Sequence, residues 1–103
     1  MLGQEWRNKS LSHATTRTRD LIPAFGKFVK QYHPEAYKDI NHRTEGWLDK
    51  AVEGLAPDDD PMWTDEWTLE DLIDALEEIA PEGCYFGAHP GDGSDYGFWE
   101  WEV

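Results

Sequence analysis

The sequence predicts an α+β fold: one acidic domain over residues 1–103, with about three helices packed with a C-terminal β-hairpin. Three observations predict it. Apolar residues recur at helical spacing between Leu21 and Tyr32, between Tyr37 and Leu55, and between Leu69 and Ile79. Two β-prone runs, CYFGAH and YGFWEWEV, close the chain, separated by the turn-forming PGDGSD. A length of 103 residues, 39% hydrophobic and 14% aromatic, supplies one core and leaves no room for a second.

The first eighteen residues are polar and weakly patterned, with Leu2 and Trp6 placed to tuck onto the domain, as a strand if the segment is regular. Asp20 reads as the N-cap of the first helix, with Pro23 in its first turn, where a missing N–H does no harm. Its apolar face is Leu21, Ile22, Phe25, Phe28, Val29 and Tyr32, and it should end near His33, because a residue before proline is pushed out of the α region. A second helical stretch opens at Pro34, with Tyr37, Ile40, Trp47, Leu48, Ala51, Val52 and Leu55 on one face and Gly54 as its stop. The pattern allows one helix or two, broken around Asn41 and His42. Residues 56–67, APDDDPMWTDEW, read as a loop. In the third helix Thr68 is the expected cap, Asp71 completes a short capping box, and Leu69, Leu72, Ile73, Leu76 and Ile79 form the apolar stripe; Pro81 and Gly83 stop it.

Cys84 is the only cysteine, so no intramolecular disulfide forms, which points to a reducing compartment. The N-terminal MLGQEWRNKS has no apolar core of a signal peptide, and no stretch approaches the roughly 18 apolar residues of a membrane span. The expectation is a cytoplasmic protein with no membrane partner.

Charge narrows the function classes further. Residues 1–57 hold all nine Lys and Arg against seven acids, a net of +2; residues 58–103 hold fifteen acids and no Lys or Arg. Such a surface repels nucleic acid and attracts basic partners. On the outer face of the third helix the spacing puts Glu70, Asp71, Asp74, Glu77 and Glu78 on one side. These five carboxylates span about 12 Å at ~1.5 Å per residue, a density comparable with duplex DNA at one charge per ~1.7 Å. A charge run is usually a solvated face, but here no Lys or Arg stands at i+4. Glu70–Asp74 and Asp74–Glu78 are like-charge pairs costing about 0.2–0.5 kcal/mol each. Glu77 and Glu78 also lie at the negative end of the helix dipole. Asp58, Asp59, Asp60, Asp65 and Glu66 add to the same field from upstream. Local rules broken this consistently point to a partner-binding surface. Trp63 and Trp67 flank it, either as anchors facing a partner's Arg or as core residues.

No catalytic residue, metal site or cofactor is expected. An EF-hand count from Asp92 places Ser94 and Gly97 suitably but puts Val103 where a bidentate Glu is needed. Cys84 and the histidines His13, His33, His42 and His89 show no zinc-finger spacing. A Cys84–His89 nucleophile pair fails because residues five apart on a strand face opposite sides. Carboxylate pairs for glycoside hydrolysis need a cleft that so small a chain rarely builds. The glycines of GAHPGDGSDYG lie between two strands, so they make a turn rather than a phosphate-cradling helix start.

RTRDLIPAF at residues 17–25 and LIDALEEIAPEGCYFGAHPGDGSDYGFW at residues 72–99 resemble uncharacterised small acidic proteins of plasmids, phages and bacteria, which share a DLIPAF helix and a C-terminal APEG-YFGAH-GDG-D-GFW segment. That family has no assigned activity, so no functional residues carry over. The resemblance implies a mobile-element setting, in which small acidic proteins often neutralise nucleic-acid-binding host defences of the anti-CRISPR or anti-restriction kind. The combined expectation is a non-enzymatic DNA mimic that inhibits a basic, nucleic-acid-binding protein. The alternative is a generic protein-interaction or self-associating module without mimicry, for which a homo-oligomer is one outcome.

Overall fold

The computed structural model describes residues 2–13 and 15–100. Among them are four α-helices and a three-stranded antiparallel sheet, an α+β domain with one helix more than the sequence pattern suggests. Strand β1 is Lys9–Ser12, β2 is Cys84–His89 and β3 is Asp92–Glu100, in the order β1-β3-β2. The helices are α1 (Thr18–Tyr32), α2 (Pro34–Arg43), α3 (Trp47–Glu53) and α4 (Glu66–Glu78).

Helix α1 starts two residues ahead of the expected cap. Asp20 lies inside it, where its carboxylate accepts from the Thr15 hydroxyl at 2.8 Å. Pro23 is therefore beyond the first turn, and its ring nitrogen leaves the Arg19 carbonyl without the usual helical donor. The end at Tyr32 before Pro34 follows the expectation. The second helical stretch is broken, a little later than Asn41–His42. Glu45 (φ 55°) and Gly46 (φ 84°) both take left-handed backbone. The break is stabilised by side chains at the end of α2. Asn41 Oδ1 accepts from the Asp49 N–H at 2.9 Å and Thr44 Oγ1 from the Leu48 N–H at 3.2 Å, which satisfies two of the free donors at the start of α3.

The hairpin forms where expected but with a tighter connection. His89 pairs with Asp92, so only Pro90 and Gly91 turn the chain, and the expected loop residues 92–95 belong to β3. The Asp92 carboxylate accepts from both the N–H and the hydroxyl of Ser94, and the latter bond above all holds its pKa below the usual aspartate value. The tail expected to continue the last strand, residues 101–103, lies outside the described residues.

Helix α1 is the centre of the fold. Its buried residues Leu21, Ile22, Phe25 and Val29 face the sheet and the other helices. Phe25 packs edge-on against Phe86 (5.1 Å) and Tyr96 (5.6 Å), and Phe28 meets Phe98 (5.7 Å). On its other side Gly26 lets α3 approach, because a Cβ there would stand 2.7 Å from Val52 Cγ2. At the three-helix junction Asp49 accepts from the Tyr37 hydroxyl at 2.6 Å and pairs with Lys30 at 3.1 Å, so one carboxylate ties α1, α2 and α3. The bond from Tyr37, followed by that from Lys30, lowers the Asp49 pKa; burial and then the Asp49 contact raise that of Tyr37.

β1 is polar, KSLS, and joins the sheet over a glycine. Lys9 pairs with Phe98 and Ser10 with Gly97, and a Cβ on Gly97 would overlap the Lys9 carbonyl oxygen and stand 2.9 Å from Ser10 Cα. On the sheet face away from α1, Trp99 lies across the same glycine and donates to the Gly87 carbonyl at 2.8 Å.

Two outcomes follow. Gly97→Ala should lower stability by about 1–3 kcal/mol through overpacking, whereas Gly93→Ala, whose Cβ meets nothing within 4 Å, should leave it nearly unchanged; thermal unfolding of both variants checks this. Asp49 has a folded pKa below its unfolded one, so its contribution is present above the unfolded value and is lost as pH falls through the folded value. Urea midpoints measured from neutral pH down into the aspartate range should therefore fall more steeply for the wild type than for Asp49→Asn.

Candidate partner-binding surface

Helix α4 positions most of the acidic residues singled out by the sequence. Its apolar stripe is set inward: Leu72 and Leu76 are fully buried, Ala75 nearly so, and the helix packs against α1, α2 and β2. At about 100° per residue, Glu66, Glu70, Asp71, Asp74, Glu77 and Glu78 fall within an outward arc of roughly 140°, and Trp67 falls inside that arc.

The start of α4 corrects the expected capping. Thr68 is not the cap; it lies in the first turn, buried. Asp65 is the N-cap, accepting from the Thr68 hydroxyl at 2.6 Å and the Thr68 N–H at 3.2 Å. The helix therefore begins at Glu66, and Asp71 takes no part in a capping box. The preceding loop is also more ordered than its composition suggests. Pro61–Thr64 forms a 3-10 turn capped by Asp60, whose Oδ1 accepts from the Met62 N–H at 2.9 Å. Both caps come from Asp, which satisfies free N–H groups at the positive end of a helix.

The acidic arc is not free of cations throughout, as the sequence pattern suggests. Arg43 of α2 forms an ion pair with Asp71. His33, at the α1–α2 junction, contacts Glu78 at 2.7 Å. Glu77 Oε2 accepts from the backbone N–H of Phe86 in β2 at 2.8 Å. Neighbouring elements thus reach both borders of the arc. Its middle stays open: Glu66, Glu70 and Asp74 are exposed and make no ion pair or hydrogen bond through their carboxylates among the described residues. Asp59 is likewise exposed, and Asp58 meets only Arg19, at 4.0 Å.

The two tryptophans separate. Trp63 is buried, packs edge-on against Trp47 at 5.1 Å, and donates to the Pro57 carbonyl at 2.6 Å, with Arg19 over its ring. It is a core residue that anchors the loop. Trp67 is 78% exposed and sits among Glu66, Glu70 and Asp74. Burying an indole of this size is worth a few kcal/mol, and among the described residues the fold leaves this one in water.

Among the described residues no three His, Cys, Asp or Glu side chains gather to hold a metal ion. Cys84 is buried on β2. An open cleft of about 360 Å³ lies beside the α2–α3 break, lined by Arg43, Thr44, Glu45, Trp47, Lys50, Asp60 and Met62, none of them from the hairpin turn. The buried Trp47 Nε1 has no hydrogen-bond partner among the described residues. Arg43 and Lys50 are balanced by Glu45 and Asp60, so the lining favours neither sign of ligand.

No helix among the described residues is long and apolar enough to cross a membrane. Scans of the chain against protein-family models, curated proteins and solved structures each returned no match.

The cap geometry separates structural from free carboxylates. Asp65→Ala should cost about 0.5–2 kcal/mol of stability, whereas Asp74→Asn should change it by no more than about 0.5 kcal/mol; urea unfolding of the two variants distinguishes them.

Proposed function

We propose that the protein is a non-enzymatic acidic binding protein that occupies the nucleic-acid groove of a basic, DNA- or RNA-binding protein and thereby inhibits it. The observation that carries this reading is the exposed Trp67 standing among the cation-free Glu66, Glu70 and Asp74.

The chemistry of that patch suits a groove lined with Arg and Lys. A leucine-backed helix fixes the backbone beneath these carboxylates, so only their side chains remain to be ordered, and each can take the place of a phosphate oxygen in a charge-assisted hydrogen bond to guanidinium or ammonium. An exposed indole offers such a groove both apolar area and a face for a guanidinium to stack on. The net charge of −13 gives long-range attraction, which speeds encounter and is screened by salt. Asp58 and Asp59 extend the same field along the loop. The resemblance to small acidic plasmid and phage proteins fits a host-defence target of the anti-CRISPR or anti-restriction kind, met in the cytoplasm.

Binding to a panel of basic nucleic-acid-binding proteins, with and without competing duplex DNA, tests the proposal. Association should be displaced by the duplex and should weaken steeply as salt is raised. Trp67→Ala should weaken it by about tenfold or more, and the combined Glu66→Gln, Glu70→Gln, Asp74→Asn variant should flatten the salt dependence. Binding that the duplex leaves untouched, or that ignores both variants, would sink the reading.

A further inference from the structure

Among the described residues strand β2 is an outer strand of the sheet, with β3 on one side only. A free strand edge presents unpaired N–H and C=O groups to any extended chain, and natural sheets usually protect it. The residues of β2, CYFGAH, carry no Asp, Glu, Lys or Arg and no proline, in a chain that is otherwise strongly acidic. Six-residue, β-prone, uncharged segments of this kind are the ones that pair most readily with copies of themselves.

In the antiparallel ladder, alternate N–H groups point to the partner strand and away from it. The N–H of Phe86 points away from β3, and it donates to Glu77 Oε2 at 2.8 Å. One step back along the same row, the Cys84 N–H donates to the Pro81 carbonyl at 2.9 Å. One step forward, the same alternation turns the Ala88 N–H outward, just before the irregularity between Ala88 and His89. The edge is therefore occupied at its first two positions by the chain's own acceptors, and among the described residues none stands at the third. Among the described residues Glu77 is the only side chain in that arrangement, and it lies in the last turns of α4, where the dipole disfavours an acid. Its place there is explained by what it accepts from rather than by the helix.

We infer that the outer edge of β2 is a strand-docking surface for a second copy of the same strand, and that Glu77 keeps it closed. Two β2 edges brought together antiparallel present identical rows to one another, so the pairing is self-complementary and closes as a twofold dimer. Docking requires the Glu77 carboxylate to leave the Phe86 N–H. The high net negative charge of each copy opposes the same step, so salt favours this association, whereas it weakens assembly through ion pairs.

Sedimentation velocity of the wild type and Glu77→Ala, over a range of protein concentration at low and high salt, tests this. Glu77→Ala should self-associate about tenfold or more tightly than the wild type, more so at high salt, and adding Ala88→Pro, which removes an outward N–H and places a ring on the edge, should return it to the wild-type state. A folded Glu77→Ala variant that associates no more than the wild type overturns the inference, as does association that salt weakens. If Glu77→Ala does not fold, amide exchange of the wild type decides: the Phe86 amide should exchange more slowly than that of Ala88, and equal rates overturn the inference. Trp67 and the middle of the acidic arc are untouched by these variants, so failure here leaves the proposed partner binding standing, and the reverse.

Discussion

Phe25 in α1 fits edge-on between Phe86 and Tyr96, and the remaining elements are arranged around that contact. It fixes the distance between helix and sheet, and through Phe28 and Phe98 it extends toward Trp6 at the N-terminal end of the sheet. The opposite side of the same helix is kept bare at Gly26, so α3 lies close enough for Leu48 and Val52 to complete the core. In a domain of this size the central helix meets both the sheet and the other helices, and losing the Phe25 ring removes its contacts with two strands at once.

The helices converge on α1, and the charges follow. The chain is divided into a mildly basic first half and a purely acidic second half, and folding brings the two together. Arg43 meets Asp71, His33 meets Glu78, Arg19 meets Asp58 and Arg7 meets Glu100. These contacts lie at or near the surface, and each is worth little alone. Their shared effect is on pattern: side chains from the first half, with the Phe86 N–H of β2 at Glu77, meet the borders of the acidic field and leave its middle bare around Trp67. A uniform acidic coat would favour solubility without direction, whereas a bare strip with an indole in it has a direction and a width.

Glu77 shows how a residue can be misread by its neighbours in sequence. On the helix it is one more acid in a run; in space it is an acceptor for a strand edge. Asp60 and Asp65 are similar cases, acids whose carboxylates satisfy the starts of helical turns. Among the twelve residues that the sequence points to as a binding surface, these two caps, Glu77 and the buried Trp63 are committed to the fold.

The sequence by itself determined the elements whose signals are local. Apolar periodicity located α1 and α4, proline and glycine located their ends, and β-prone runs around a Gly-rich turn located the hairpin. The all-acidic second half was equally legible, because composition needs no fold. Tertiary structure decided what depends on residues far apart in the chain. The strand KSLS has no alternation to reveal it, and it pairs because Gly97 leaves room for its backbone. The split between α2 and α3 rests on Asn41 and Thr44 capping from across the break. Helical spacing places an acid on a face, but only the packing of α2, the α1–α2 junction and β2 against α4 determines which of those acids meet a partner within the chain and which are left to water.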